Sequence, residues 1–454
     1  MKRITVREAV QACGGRYFGS EEGLERVISS VCSDSRAVRE GALFVCYRGA
    51  RVDGHDFMAA CIQRGAACCL SEREPRDDSE TPCIVVDSTL RGIAAIAGWY
   101  RGLFDLPVIG ITGSVGKTTA KEMIWAVLSR KLKTHKNRMN FNNEVSLPLM
   151  LLEMPQDAQA AVMEMGISDF GEMTRLASMV RPSIAVITNI GDVHLEALGD
   201  RQGVLRAKTE VFDFLSGEGL AIINGDDETL RGYACPVKKI TFGLNESNDF
   251  YARDIENLAD NGTRMTICHH DAAFPVRIPA FGVHMAYAAL MGAAVGWTLG
   301  LSDAEIAAGI ADYETVGNRA KLINTGRFTI LSDCYNANPN STASALDSLA
   351  TLEGRRVCIL GDMLELGADT LNMHSRTGAY AVKRGVELVI ACGSLAKAIF
   401  DGAQAAGGNA RYFENKAALI EKLGELIQPG DSVLVKASHS MAFEDIVAAL
   451  EKLN

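Results

Sequence analysis

The sequence predicts an α/β protein of three blocks, and three observations carry that reading. Apolar strand-like runs alternate with amphipathic helical stretches, a glycine loop separates one buried run from a helix, and the alternation restarts after each of two breaks. Strands that alternate with helices at this spacing build parallel sheets with helices on their faces. The 454 residues leave room for two to four domains of about 100–200 residues each.

The first block, residues 1–104, opens with MKRITVREAVQACGG. Its apolar positions have charges on both sides, so it reads as an amphipathic helix and not as a signal peptide. Helical stretches are expected at EEGLERVI (21–28) and LRGIAAIAGWYRGLF (90–104), and strands at ALFVCY and CIVV. A break at Asp105-Leu106-Pro107 opens the second block, 105–316. There VIGITGS is a buried strand running into a glycine loop, followed by strands AAVMEMG, IAVITNI and GLAIIN. A parallel, doubly wound sheet is the expectation for this block. The second break falls at Val316-Gly317-Asn318. Beyond it FTILSD, VCILGD, LVIACG and SVLVKA each precede a helix, so residues 317–454 read as a smaller Rossmann-like domain.

Composition excludes several classes. Hydrophobic residues make up 48% and charged residues 22%, ordinary for a globular chain. The net charge of −10 and isoelectric point near 5.4 argue against a nucleic-acid footprint. The twelve cysteines form no CxxC pair, and most lie in apolar runs, which suits core thiols in a reducing compartment better than disulfides or zinc. The uncharged run at 285–301 falls short of the roughly 20 apolar residues of a membrane span. Rich in alanine and glycine, it reads as a packed core helix. A cytoplasmic location, no membrane insertion and a monomer are expected.

The stretch GITGSVGKTT, from Gly110, places small residues between a buried strand and a helix. Backbone N–H groups of such a loop converge on phosphate oxygens, and the helix N-terminus adds about half a positive charge. Thr112, Gly113, Ser114, Val115, Gly116, Lys117, Thr118 and Thr119 are therefore the candidate phosphate site. Lys117 is expected to reach the β- and γ-phosphates and the Thr118 hydroxyl to meet Mg²⁺. The loop departs from the standard pattern, which would put glycine where Ile111 stands. In the same block Glu164 ends a strand, Asp192 and His194 follow another, and Lys208 with Glu210 opens a helix. Carboxylates at strand C-termini beside a phosphate loop suggest an oxygen-rich magnesium site.

These motifs resemble the central domain of the Mur ligases: GITGSVGKTT, EMG from Glu164, TNI from Thr188 with His194-Leu-Glu, and AKxExF from Ala207. Mur ligases are ATP-dependent amide-forming enzymes of peptidoglycan synthesis. The first block adds SDSR from Ser33, LFV from Leu43 and GxRxDGHxF from Gly49, similar to the family's nucleotide-sugar domain. The third adds DxYNANPNS from Asp333 and GDMLELG from Gly361. Together they resemble the branch that joins D-alanyl-D-alanine to UDP-N-acetylmuramoyl-tripeptide through an acyl phosphate.

The resemblance implies three domains, for the nucleotide-sugar, for ATP, and for closing over ATP while binding the dipeptide. It implies ATP and two magnesium ions, the first on Thr118 and Glu164. The second falls to His194 with Lys208, which matches the family's carbamylated lysine. Arg319 becomes a phosphate clamp, and Asp333 and Asn336 nucleoside contacts. His284 is the remnant of an adenine-contacting helix start whose amide positions here are Met285 and Ala288. Ser35, Arg36, Asp53 and His55 are assigned to the uridine diphosphate end, and Asn142 and Asn143 to the substrate cleft. Lys436 and Ser438 are placed where the dipeptide and peptide end converge. A structural reading stands beside several of these: a carbamate-free phosphate-binding Lys208, a surface Arg319, a helix-capping Ser438. Another Mur-like or folylpolyglutamate-synthase-like ligase and a non-catalytic nucleotide-binding regulator are the rival functions.

Overall fold

The computed structural model of the chain describes residues 1–75, 81–258, 262–317 and 320–453. Its first sheet has five strands in the order Arg16–Phe18, Cys83–Val85, Cys68–Ser71, Ala42–Val45, Ser30–Cys32. Only the first pairing is antiparallel. The amphipathic start forms the helix Val6–Cys13, and Thr5 and Glu8 close a reciprocal capping box at its N-terminus. The helix expected at 21–28 is replaced by a 3₁₀ turn, Glu21–Glu25, and a short strand, Val27–Ile28. Arg7 draws in both Glu21 and Glu25 at 2.8 and 2.7 Å, and Val27–Ile28 pairs with Ile4–Thr5. Tertiary pairing overrides the local helical pattern there.

The second sheet has nine strands. Six are the parallel doubly wound set, ordered Thr134–Lys136, Ala160–Glu164, Val108–Thr112, Ile184–Ile187, Leu220–Asn224, Lys238–Gly243. Phe250–Asn257 continues them in parallel, and Thr263–His269 and Ala272–Ile278 add an antiparallel meander at that edge. The meander is not legible as apolar runs, because burial alternates along Ala272–Ile278 and the first half of Thr263–His269. The chain leaves Val108–Thr112 toward one edge and later crosses to the other, so the loops at the strands' C-terminal ends part there. Such a reversal is where α/β sheets hold ligands.

Both faces of this sheet are covered, which explains the uninterrupted apolar runs. Ile109, Ile111, Val162 and Val186 bury against the helices Lys117–Leu128, His284–Thr298 and Asp303–Ala311. Val108, Ala161, Met163 and Ile187 face the other way. There the helix Thr89–Arg101 packs on Leu147–Leu152 and Glu172–Val180, so one buried cluster runs from Ile4 to Leu230 across the break at 105–107. Tyr100 bridges it, donating to the Met154 carbonyl at 2.7 Å. The run at 285–301 is the core helix it promised to be, with Gly292 pressed on Met123 and Val127. Among the described residues no helix is long and apolar enough to cross a membrane.

The third sheet is ordered Lys321–Asn324, Thr329–Ser332, Ser432–Lys436, Arg356–Gly361, Leu388–Cys392, Ala410–Phe413. It is parallel apart from the first hairpin. This unit meets the second across a narrow seam. A Cβ on Gly191 would fall 2.2 Å from Asn340 Nδ2, and Asn257 donates to Thr351 Oγ1 at 3.3 Å.

Candidate functional site

The glycine loop owes its shape to two neighbours. Gly113 has φ 143°, and a Cβ there would stand 1.9 Å from Thr188 Oγ1. Asn189 Oδ1 accepts from the Val115 N–H at 3.0 Å, and Thr188 Oγ1 donates to the Val115 carbonyl at 2.6 Å. Gly116, at φ 84°, then turns the chain into the helix Lys117–Leu128, which no side chain caps. The first-turn N–H groups are left for a ligand, and the helix dipole favours an anion. Lys117 Nζ meanwhile donates to the Gly113 carbonyl at 2.8 Å, folded over the loop. Thr112 Oγ1 is buried without a hydrogen-bond partner.

Glu164 ends its strand almost wholly buried. Its Oε1 accepts from Thr118 Oγ1 at 3.1 Å and from Asn142 Nδ2 at 2.7 Å. Its Oε2 faces Lys121 Nζ at 3.5 Å but accepts no hydrogen bond. A buried carboxylate oxygen without a donor, beside a threonine hydroxyl and a phosphate loop, is an oxygen donor set that suits magnesium. This cation needs only one or two carboxylates when phosphates supply the rest. Among the described residues no three His, Cys, Asp or Glu side chains cluster as a metal cage.

His194 sits at φ 52° before the short helix Leu195–Leu198, and its Nδ1 lies 2.9 Å from Glu365 Oε2 of the third unit. Burial and then the neighbouring Lys208 hold its imidazole below the ordinary range, against the opposite pull of Glu365. Lys208 lies in the last turn of the helix Arg201–Thr209 and does not open a helix as expected. The start of that helix is set by Asp200, whose carboxylate accepts from the Gly203 N–H at 2.7 Å. Lys208 is 1% exposed. Burial, then Lys117, pushes its amine well below the usual lysine range.

On the facing side, Lys436 Nζ contacts Asp333 Oδ2 at 2.5 Å and the Asn336 carbonyl at 2.8 Å. Asp333 Oδ1 accepts from the Ala320 N–H at 3.2 Å, and Asn336 Oδ1 from the Ala337 N–H at 2.9 Å. His284 starts its helix with Nδ1 buried and unpartnered, and burial pushes its imidazole down. Between the two faces lies a cavity of about 710 Å³, lined by residues 114–119, Asn142, Asn143, Glu164, His194, His284, Asp333, Asn336 and Lys436.

Other expected residues lie elsewhere or are occupied. Ser35, Arg36, Asp53 and His55 do not line the cavity. Arg36 pairs with Asp34 at 2.8 Å, and Arg64 donates to the Ser35 carbonyl at 2.7 Å. Asp53 accepts from His55 Nδ1 at 2.6 Å and from Arg73 at 2.7 Å, while His55 Nε2 accepts from the Glu72 N–H at 3.0 Å. Asn143 Oδ1 is engaged by the N–H groups of Val145 and Ser146. Ser438 Oγ accepts from the Leu364 N–H at 3.0 Å instead of capping a helix. Asp192 pairs with Arg201, and Glu210 accepts from Thr174. Arg319 lies outside the described residues.

Three family models match the chain: the Mur ligase family catalytic domain at residues 27–91, the Mur ligase middle domain at 111–296, and the Mur ligase glutamate ligase domain at 318–439. The chain is 36% identical to the UDP-N-acetylmuramoyl-tripeptide–D-alanyl-D-alanine ligase of Bacillus subtilis, over 99% of each. It belongs to the Mur ligase family.

The Escherichia coli ligase of the same name is 34% identical to this Mur ligase over 96% of each chain. Among solved structures, MurF from Acinetobacter baumannii superposes with a TM-score of 0.92 at 30% identity, covering 100% of this chain and 99% of that one. A MurF ligase from Thermotoga maritima in complex with ADP gives 0.84 at 27% identity, over 94% and 98%. Folylpolyglutamate synthase from Mycobacterium tuberculosis, at 16% identity and 0.62, shares the fold alone.

Three residues of this Mur ligase site escape a reading of the sequence. Lys121, wholly buried, contacts the Met139 carbonyl at 2.5 Å as well as Glu122 and Glu164. Its position one helical turn beyond Lys117, on the same face, is the signal that could have found it. Asn137 brackets the backbone of Glu164 from both sides at 2.8 and 3.2 Å, and nothing in the sequence marks it. Glu365 stands inside the GDMLELG stretch, but only the assembled seam shows where it points.

Proposed function

We propose that this Mur ligase joins D-alanyl-D-alanine to the tripeptide end of UDP-N-acetylmuramoyl-tripeptide, releasing ADP and phosphate, as an ATP-dependent ligase of peptidoglycan synthesis. The observation that carries it is full-length likeness to enzymes of that name in Bacillus subtilis and Escherichia coli. It is supported by a cavity that holds phosphate loop, Glu164 and His194 on one wall and Asp333, Asn336 and Lys436 on the other.

The phosphate-loop amides and the N-terminus of Lys117–Leu128 bind the β- and γ-phosphates, and Lys117 exchanges the Gly113 carbonyl for them. Bound magnesium would offset phosphoryl charge while the tripeptide carboxylate attacks the γ-phosphorus. Thr118 and Glu164 would hold one ion, and His194 with a carbamate on Lys208 a second. Burial favours the neutral form of this amine, the form that attacks CO₂, and the carbamate would place an anion beside Lys117. His284 is assigned to the adenine side, Asp333 and Asn336 to the nucleoside, and Arg319 to phosphate. Lys436, Ser438, Asn142 and Asn143 are assigned to the peptide end, and Ser35, Arg36, Asp53 and His55 to the uridine diphosphate. The third unit excludes water from the acyl phosphate, so the incoming amine is its acceptor. Divisions at 104/105 and 316/317, a monomer and a cytoplasmic location belong to the same proposal.

Phosphate release by the purified protein tests it, with the mass of the nucleotide product as a second readout. Strong release is expected only with both nucleotide-tripeptide and dipeptide present. Release without them overturns it in favour of a nucleotide-binding regulator, and no pentapeptide product overturns it in favour of another Mur-like or folylpolyglutamate-synthase-like ligase.

A further inference from the structure

The seam between the second and third units carries a contact that the ligase reading does not assign. Glu365 Oε2 lies 2.9 Å from His194 Nδ1, and both residues line the cavity. Each is held in the left-handed backbone region, Glu365 at φ 63° and His194 at φ 52°, where residues other than glycine are uncommon. The loop that presents Glu365 is tied down at several points. The Met363 N–H donates to His374 Nε2 at 2.9 Å, and the Leu364 N–H to Ser438 Oγ at 3.0 Å. Asp362 Oδ1 accepts from the Ala396 N–H at 2.7 Å. Gly367, at φ 69°, packs on the backbone of Glu196, two residues beyond His194. A chance surface ion pair does not need two left-handed residues and a bolted loop.

We propose that Glu365 is a positioning residue that the third unit delivers to His194. By accepting from Nδ1–H it fixes one imidazole tautomer and ring orientation, and leaves the Nε2 lone pair free. A histidine that must offer one nitrogen to a ligand has the other held by a carboxylate or carbonyl for this reason. Domain closure and completion of the reaction site are then one event, because the orienting carboxylate comes from the lobe that closes. The inference rests on the proposed ligase function only for what Nε2 meets; the tautomer itself does not depend on it.

The test uses full-length protein labelled with ¹⁵N-histidine and loaded with ADP, its His194 ring signals identified with His194→Gln. Wild type is expected to show Nδ1 protonated and Nε2 bare. Glu365→Leu should shift the ring toward the other tautomer. In the ligation assay it should also lower kcat about 10–100-fold and raise the half-saturating magnesium concentration, with KM for ATP changed less than about twofold. Glu365→Gln, whose amide oxygen still accepts a hydrogen bond, should keep the wild-type tautomer and recover most of the rate. Should Glu365→Leu keep the wild-type tautomer, or raise only the KM for ATP, the contact merely helps closure and the proposal is overturned. Absence of ligation by the wild-type protein would instead refute the proposed function and leave the ring measurement to judge Glu365.

Discussion

Gly113 and Thr188 stand so close that a single added methyl at Gly113 would overlap the threonine hydroxyl, at 1.9 Å from Oγ1. That hydroxyl is also the donor that holds the Val115 carbonyl, so the strand-end threonine dictates the shape of the phosphate loop.

Gly113→Ala is therefore expected to displace the loop. Backbone strain at φ 143° adds about 1–3 kcal/mol to the overlap, enough to weaken ADP binding roughly tenfold or more. Calorimetric titration measures it. Thr188→Ala in the same chain removes the 1.9 Å contact but leaves the strain and the Thr188 Cβ and backbone nitrogen at 3.0 Å. It also loses the hydroxyl that holds the Val115 carbonyl, so it should restore only part of the affinity. Unchanged ADP affinity in Gly113→Ala would refute this account of the loop.

Lys121 is the cation on which buried acids converge, being wholly buried and facing Glu122 at 3.3 Å and Glu164 at 3.5 Å. Lys121→Met leaves Glu164 and the Met139 carbonyl without it, while Glu122 keeps its ion pair with Lys136. Breaking a buried pair from one side costs about 3–5 kcal/mol, and urea unfolding should show a loss of that order. A second effect is expected on Glu164 itself: its Oε2 loses the cation it faces, so the magnesium dependence of ADP binding should change even where the fold survives. A loss below about 1 kcal/mol would mean that Lys121 is merely tolerated.

The parallel framework and the glycine loop between strand and helix are legible in the sequence because each depends on local pattern. Ile109 and Ile111 bury on one face and Val108 on the other, and this double burial writes itself as an unbroken apolar run. Gly113, Gly116, Lys117 and Thr118 share one short loop, so their proximity is covalent. Residues 21–28 mislead because their helical spacing is local while the pairing with Ile4–Thr5 is not. The meander of 250–278 stays hidden because one wet face breaks the apolar runs. Glu365 and Asn137 act across the fold, over distances in sequence that no motif spans. Asp53 and His55 show the converse: a recognisable motif whose side chains are largely engaged with each other and with Arg73.

In the proposed function Asp333 would serve stability and ligand together. Lys436, 2% exposed, has that carboxylate as its only ion-pair partner among the described residues. Asp333→Ala should destabilise the third unit by about 3–5 kcal/mol, seen as a lower urea midpoint with bound nucleotide absent. Asp333→Asn keeps an acceptor for Lys436 and should lose less. If Asp333→Ala weakens nucleotide binding and leaves the apo midpoint unchanged, the Lys436 contact is incidental.

Lys208 yields the prediction with a sign that depends on its chemical state. Its amine is pushed down by burial and by Lys117, so between its lowered folded pKa and the unfolded value of about 10.4 the unfolded chain binds a proton that the folded chain does not. Stability must then rise with pH through that window. In CO₂-free buffer Lys208→Met should remove this dependence and melt higher than wild type near pH 7, with the difference shrinking toward pH 10. Bicarbonate reverses the comparison. A carbamate forms by attack of the neutral amine on CO₂ with loss of one proton, and it converts a suppressed cation into an anion facing Lys117. Wild type should gain melting temperature with added bicarbonate and Lys208→Met should not. A wild-type melting curve that ignores bicarbonate, with a flat pH profile between 7 and 10, would show an amine that is neither strained by burial nor modified.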